Sequence, residues 1–138
     1  MAEGTKNTGR GNSGRGKQKP VVVSDMGRLQ PQARELEEAV LGALMLEKDA
    51  YSIISEILKP ECFYEKSHEM IYAAIVDLAA SQRPVDMLTV TEQLRKRGEL
   101  DQVGGPFYIS QLTSKVASSA HIEYHARIIA QKYLAREL

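Results

Sequence analysis

From residue 31 to the C-terminus, apolar side chains return every three or four positions, and no stretch alternates over a strand's length. That period marks one face of an α-helix rather than a sheet, so the fold class expected is all-α, with short connections. Leu36, Val40, Ala43 and Leu44 form a first stripe, with Glu35, Glu37 and Glu38 early in the helix, where the dipole favours acids. Asp49 is placed to cap a second helix carrying Ile53, Ile54, Ile57 and Leu58, which Pro60 ends. The apolar "CFY" at 62–64 is expected to fold back onto the core. Ser67 then caps a third helix with Ile71, Ala74, Ile75 and Leu78 inward. Asp86 ends the loop 83–86 and caps a fourth helix with Val90 and Leu94, closed by Gly98 where a left-handed residue is wanted. Gly104 and Gly105 make a turn, and Pro106 opens a fifth helix that buries Tyr108, Ile109 and Leu112.

The last segment differs in length. Ser118 or Ser119 is the expected cap of a helix of about 20 residues, or about 30 Å, running to the C-terminus. Ile122, Ala126, Ile129 and Tyr133 share one stripe, while Ile128 and Leu134 lie off it and widen the apolar surface. A helix apolar on more than one side cannot satisfy itself alone. It is expected to dock on the body with one face and meet another chain with the other, the stripe of Ile122, Ala126, Ile129 and Tyr133 being the candidate subunit interface.

Residues 1–28 read differently. Six basic residues stand there against Glu3 and Asp25, so a basic tail precedes an acidic body although the whole chain balances 18 basic against 18 acidic residues. Gly, Asn and Ser dominate, and only "VVV" at 21–23 is apolar. Such a segment cannot bury enough surface to offset backbone ordering, and a disordered tail is expected. Within it, "GNSGRGK" at 11–17 has the glycine–lysine frame of a phosphate-binding loop. A working loop needs a buried strand before it and a helix after it; neither is signalled, and Gln18 stands where the magnesium-binding hydroxyl belongs. The frame is a decoy. The "GRG" units, with Arg10, Arg15, Lys17 and Lys19, admit weak, salt-sensitive nucleic-acid binding, beside the plainer reading of a solvated leader.

Catalytic signals are missing. Cys62 is the only cysteine, so no internal disulfide or multi-cysteine metal site is possible. His121 and His125 have a zinc-compatible spacing, yet "HIEYH" is not HExxH and no third ligand is evident. His68 has no nucleophile or partner carboxylate marked around it, and its expected role is to fix a helix start by hydrogen bonding. The acidic residues read as solvated helix faces. The longest apolar run, "AVLGALML" from Ala39, is far shorter than the roughly 20 residues of a membrane helix, and no secretion signal opens the chain; the compartment expected is the cytosol. No catalytic, cofactor-binding or metal-binding residue is assigned.

Five blocks carry a resemblance. "ELEEAVLGALML" (35–46), "LKPECFYEKSHEMIY" (58–72), "RPVDMLTVTEQLRKRGEL" (83–100), "VGGPFYISQL" (103–112) and "REL" (136–138) occur in that order, and together the chain resembles the N-terminal domain of the DnaB-type bacterial replicative helicase from about residue 29 onward. Matching positions carried over as structural are Glu35, Glu37, Gly42, Phe63, Tyr64, His68, Asp86, Gly98, Gly104, Gly105 and Tyr108. Leu36 stands where the family usually has a small residue, and His121 and His125 where Asn and Tyr are common. The resemblance implies a helical head (29–117) followed by the first helix of a truncated dimerisation hairpin (118–138), after the tail (1–28). It also implies self-association into dimers and then a hexameric collar, docking of DnaG-type primase and a helicase loader, and DNA contact through the parent protein. No membrane partner is implied. ATP and magnesium are expected in the parent's separate C-terminal motor, and a bacterial cytoplasmic site of action at replication forks. The alternatives are the helicase-binding domain of a primase and a small nucleic-acid-binding helical protein.

Overall fold

A computed structural model describes residues 31–115 and 121–138, with side chains from Ala33 onward. The tail 1–28 and the candidate caps Ser118 and Ser119, with the boundary between 117 and 118, lie outside the described residues. Among those described there is no strand. The elements are α1 (Pro31–Leu46), α2 (Ala50–Ile54), a 3-10 turn (Pro60–Cys62), α3 (Lys66–Ala80), α4 (Met87–Lys96), α5 (Gly105–Thr113) and α6 (Ile122–Glu137).

α1 is the central rod, packed against α3, α5 and α6, while α4 joins α3 and α5. The core gathers one stripe from each helix: Val40, Leu41 and Leu44 of α1, Ile71 and Ile75 of α3, Val90 and Leu94 of α4, Ile109 and Leu112 of α5. Gly42 is buried in the same rod. Burying a Leu or Ile stabilises by about 1.5–3 kcal/mol, so these stripes dominate the assembly.

Local signals act as expected around α4. The Asp86 carboxylate accepts from the Thr89 N–H at 2.8 Å, and the Thr89 hydroxyl oxygen accepts from the Asp86 N–H at 2.9 Å. At the other end Gly98 has φ +72°, and the Glu99 N–H returns to the Leu94 carbonyl at 2.9 Å. The same 6→1 closure follows α3, where the Arg83 N–H donates to the Leu78 carbonyl at 2.9 Å, but there the left-handed residue is Gln82, at φ +58°.

Several expectations are corrected. The second helix ends at Ile54, and only Ile54 and Leu58 of its four apolar residues are buried; Ile53 is exposed and Ile57 half-buried. Residues 53, 54, 57 and 58 span too wide an arc for one face, and the i→i+3 bond from Ile57 N–H to Ile54 carbonyl tightens the chain beyond it. Asp49 occupies the cap position of α2 without capping by its side chain. Ser67 is not the cap of α3, which begins a residue earlier with Glu65 at the cap position. Cys62 and Phe63 fold into the core, Phe63 against the Tyr72 ring at 5.1 Å, but Tyr64 reaches the surface. Pro106 falls one position inside α5, behind Gly104 at the cap and Gly105. Tyr108 is only half-buried.

The terminal helix is also corrected. Ile122, Ala126 and Ile129, expected to meet a neighbouring subunit, belong to this chain's own core at 6%, 0% and 3% exposure. They lie on the α6 side that faces α1 and α2. Tyr133, a turn further on, packs partly against the same core.

Candidate functional site

Glu37 and His68 are the most deeply buried ionisable pair among the described residues. On α1, position 37 is in phase with Ala33, Val40, Leu41 and Leu44, all buried, so its carboxylate is carried inward with them. On α3, position 68 is in phase with Ile71, Tyr72 and Ile75, which carry the imidazole inward in the same way. The two meet at 2.7 Å, Glu37 Oε1 to His68 Nδ1. The other Glu37 oxygen, Oε2, accepts the Tyr64 N–H at 2.7 Å, and Oε1 also receives the Glu65 N–H at 3.4 Å. Glu37 therefore holds the two residues that lead into α3, Tyr64 and Glu65, from another helix, beside the positive end of that helix dipole.

The row continues through the ring. His68 Nε2 lies 2.6 Å from the Tyr108 hydroxyl, which donates to Glu38 Oε2 at 3.1 Å. Burial, and then the neighbouring Glu38 charge, push the Tyr108 phenol above its usual range, so it stays protonated and able to donate. Around the rim, Arg34 pairs with Glu38 at 3.4 Å and Glu65 at 3.0 Å, and Lys115 approaches Glu38 at 3.7 Å. Burial works against the Arg34 charge, but Tyr108, Glu65 and Glu38 together raise its pKa.

A carboxylate, an imidazole and a hydroxyl in a row can activate a nucleophile. The wiring here runs inward instead. His68 has no exposed surface, and the phenol hydroxyl is held between the ring and a second carboxylate. The row bonds α1, α3 and α5 to one another at their polar seam, and unmade bonds at such depth are expensive.

Two expectations are corrected here: that Glu37 and Glu38 lie on solvated faces, and that His68 has no partner carboxylate. Glu37 supplies it, and both acids are buried; only Glu35 of the three is exposed. The available signal was phase: Glu37 and His68 sit on apolar stripes, where a solvated residue does not belong. Gly104, at φ +114°, lets the turn before α5 approach so closely that an added Cβ would meet the Tyr108 Cβ at 2.8 Å. Gly105, at φ +77°, is left-handed with open space around it. His121 and His125 have ring centroids 6.2 Å apart, and among the described residues no three His, Cys, Asp or Glu gather to hold a metal ion. No helix of the described residues is long and apolar enough to cross a membrane. Arg10, Arg15, Lys17 and Lys19 lie outside the described residues.

A second surface remains on the outer side of α6. Tyr124 and Leu134 are 66% and 63% exposed, with Leu138 beyond them and Ile128 half-buried beside them.

Comparison with known proteins places this architecture. Residues 29–131 match the family model of the DnaB-like helicase N terminal domain. The Replicative DNA helicase DnaB of Rhodothermus marinus is 56% identical over 110 residues, which cover 80% of this chain and 12% of that protein. The crystal structure of the N-terminal domain of DnaB helicase from Mycobacterium tuberculosis superposes with a TM-score of 0.72 at 40% identity, covering 75% of each chain. A solved DnaB-like replicative helicase, described together with its interactions with primase, gives a TM-score of 0.65 at 30% identity and covers 75% of this chain and 24% of its own. The chain thus spans a small share of the whole helicases it resembles.

Proposed function

The chain belongs to the DnaB-like helicase N-terminal domain family, and on that premise we propose that it is a non-catalytic assembly and docking module of a hexameric replicative DNA helicase. Copies pair and build a collar; the collar receives a DnaG-type primase and a helicase loader. ATP and magnesium act in a separate motor domain, which unwinds DNA in the bacterial cytoplasm at the replication fork. The observation that carries this reading is the uncovered outer side of α6, with Tyr124 and Leu134 about two-thirds exposed. A side left open by its own core, on which Tyr124 and Leu134 lie beside the exposed Arg127 and Gln131, suits a self-complementary contact between copies.

The polar chemistry supports a scaffold rather than a catalyst. Its deepest ionisable groups are spent on joining helices, and the imidazole is out of reach of any substrate. The reported relatives are helicases rather than primases, which supports the helicase side of the partnership.

Titration calorimetry with the C-terminal domain of a DnaG-type primase tests the docking role. Saturable binding that survives deletion of residues 1–28 is the expected result. A folded chain that gives no heat at high micromolar concentration would remove primase docking from the account.

A further inference from the structure

The two ends of α6 are held by different means. Its first half is anchored by Ile122, Ala126 and Ile129, all in the core. Past Ile129 no residue is fully buried: Ala130 and Tyr133 are partly covered, and Leu134 and Leu138 face outward. At this weakly anchored end stands Arg136. Its guanidinium donates to the Cys62 carbonyl at 3.2 Å, and its Cζ lies 5.0 Å from the centroid of the Tyr64 ring and 5.9 Å from that of Tyr133. One cation thus bridges an aromatic ring on its own helix, an aromatic ring before α3, and a main-chain oxygen.

The seat it grips is fixed from behind. Phe63 is buried against Tyr72, and the Tyr64 N–H is held by Glu37 at 2.7 Å. We propose that Arg136 is a clamp, and that its grip on Cys62–Tyr64 decides whether the last two turns of α6 lie along the head or swing clear of it. The first half of the helix stays docked in either state, so the hinge falls just after Ile129. This inference stands on the geometry of α6 alone and does not depend on the proposed partners.

Hydrogen exchange on the 138-residue chain, resolved by peptide along α6, reads the clamp directly. In Arg136→Ala, amides 130–137 should exchange about five- to tenfold faster, the loss of two cation–aromatic contacts and one hydrogen bond, while amides 122–129 stay as in the wild type. Alanine is the better helix former, so faster exchange cannot come from intrinsic fraying. Arg136→Lys keeps the charge near the helix end but loses the planar fork, and should also exchange faster than wild type. Tyr64→Leu, which leaves the Cys62 carbonyl and Tyr133 to Arg136, should give a smaller rise in the same amides, and the double variant should match Arg136→Ala alone. Wild-type protection in Arg136→Ala, full rescue by lysine, additive effects of the two substitutions, or a rise along the whole of α6 would each overturn the clamp.

Discussion

Glu37 Oε1 lies 2.7 Å from His68 Nδ1, across 31 positions of sequence, and the same carboxylate holds the chain that leads into the helix on which His68 stands. Two jobs thus fall to one side chain: pairing the imidazole and binding the amides of Tyr64 and Glu65, which lead into α3. Removing His68 would leave a buried carboxylate without its strongest partner. His68→Ala should destabilise the head by about 3–5 kcal/mol, the range for breaking a buried pair from one side. Urea denaturation checks this, and a loss below about 1 kcal/mol would mean that the seam is not what joins α1 to α3.

Two of the cap candidates, Asp86 and Ser67, separate cleanly. Asp86→Ala removes a reciprocal cap seen in both directions and should cost about 1 kcal/mol. Ser67→Ala should cost a few tenths at most, since Ser67 lies inside α3 rather than at its cap. Thermal melts of the two variants side by side measure the difference.

Three left-handed residues beside helix ends, Gly98 and Gln82 after a helix and Gly104 before one, make a graded series. Gly98→Ala meets nothing within 4 Å and should cost only backbone strain, about 1–2 kcal/mol, whereas Gly104→Ala adds a 2.8 Å contact with Tyr108 and should cost more. Gln82 already bears that strain at φ +58°, so Gln82→Gly should be neutral or stabilising despite glycine's entropy in the unfolded chain. Denaturant midpoints of the three variants should follow that order.

His125 gives the pH prediction. Burial, and then the neighbouring His121, lower its pKa from the ordinary value of 6.5. The unfolded chain therefore takes up this proton more readily than the folded one. The stability is fully present above about pH 6.5 and falls as pH drops through the folded value. Because His125 is only partly buried the effect is small. Comparing melts of wild type and His125→Gln at pH 8 and pH 5 should show a flatter acid limb in the variant.

How much of this was legible beforehand follows from the reach of each signal. Asp86, Val90, Leu94 and Gly98 announce α4 because every partner lies within a few residues, and local chemistry settles the outcome. Ser67 misleads for the same reason: a hydroxyl near a helix start is a strong local sign, but the helix already begins at Lys66. Glu37 and His68 each look ordinary in their own neighbourhoods, and only the packing of α1 on α3 gives them a shared purpose. On α6, two apolar sides were visible in the sequence. Which one turned inward depended on the arrangement of α1 and α2 beneath it.

The division of α6 into an inner and an outer side is the claim on which the assembly role rests, and sedimentation equilibrium of three chains tests it most directly. Wild type should show weak, concentration-dependent self-association between monomer and dimer. Leu134→Asp should abolish it with helicity intact, since that side chain is 63% exposed, and Ile129→Asp should unfold the head, since its side chain is in the core. A folded Ile129→Asp that has lost self-association, or a wild-type hexamer independent of concentration, would contradict the account.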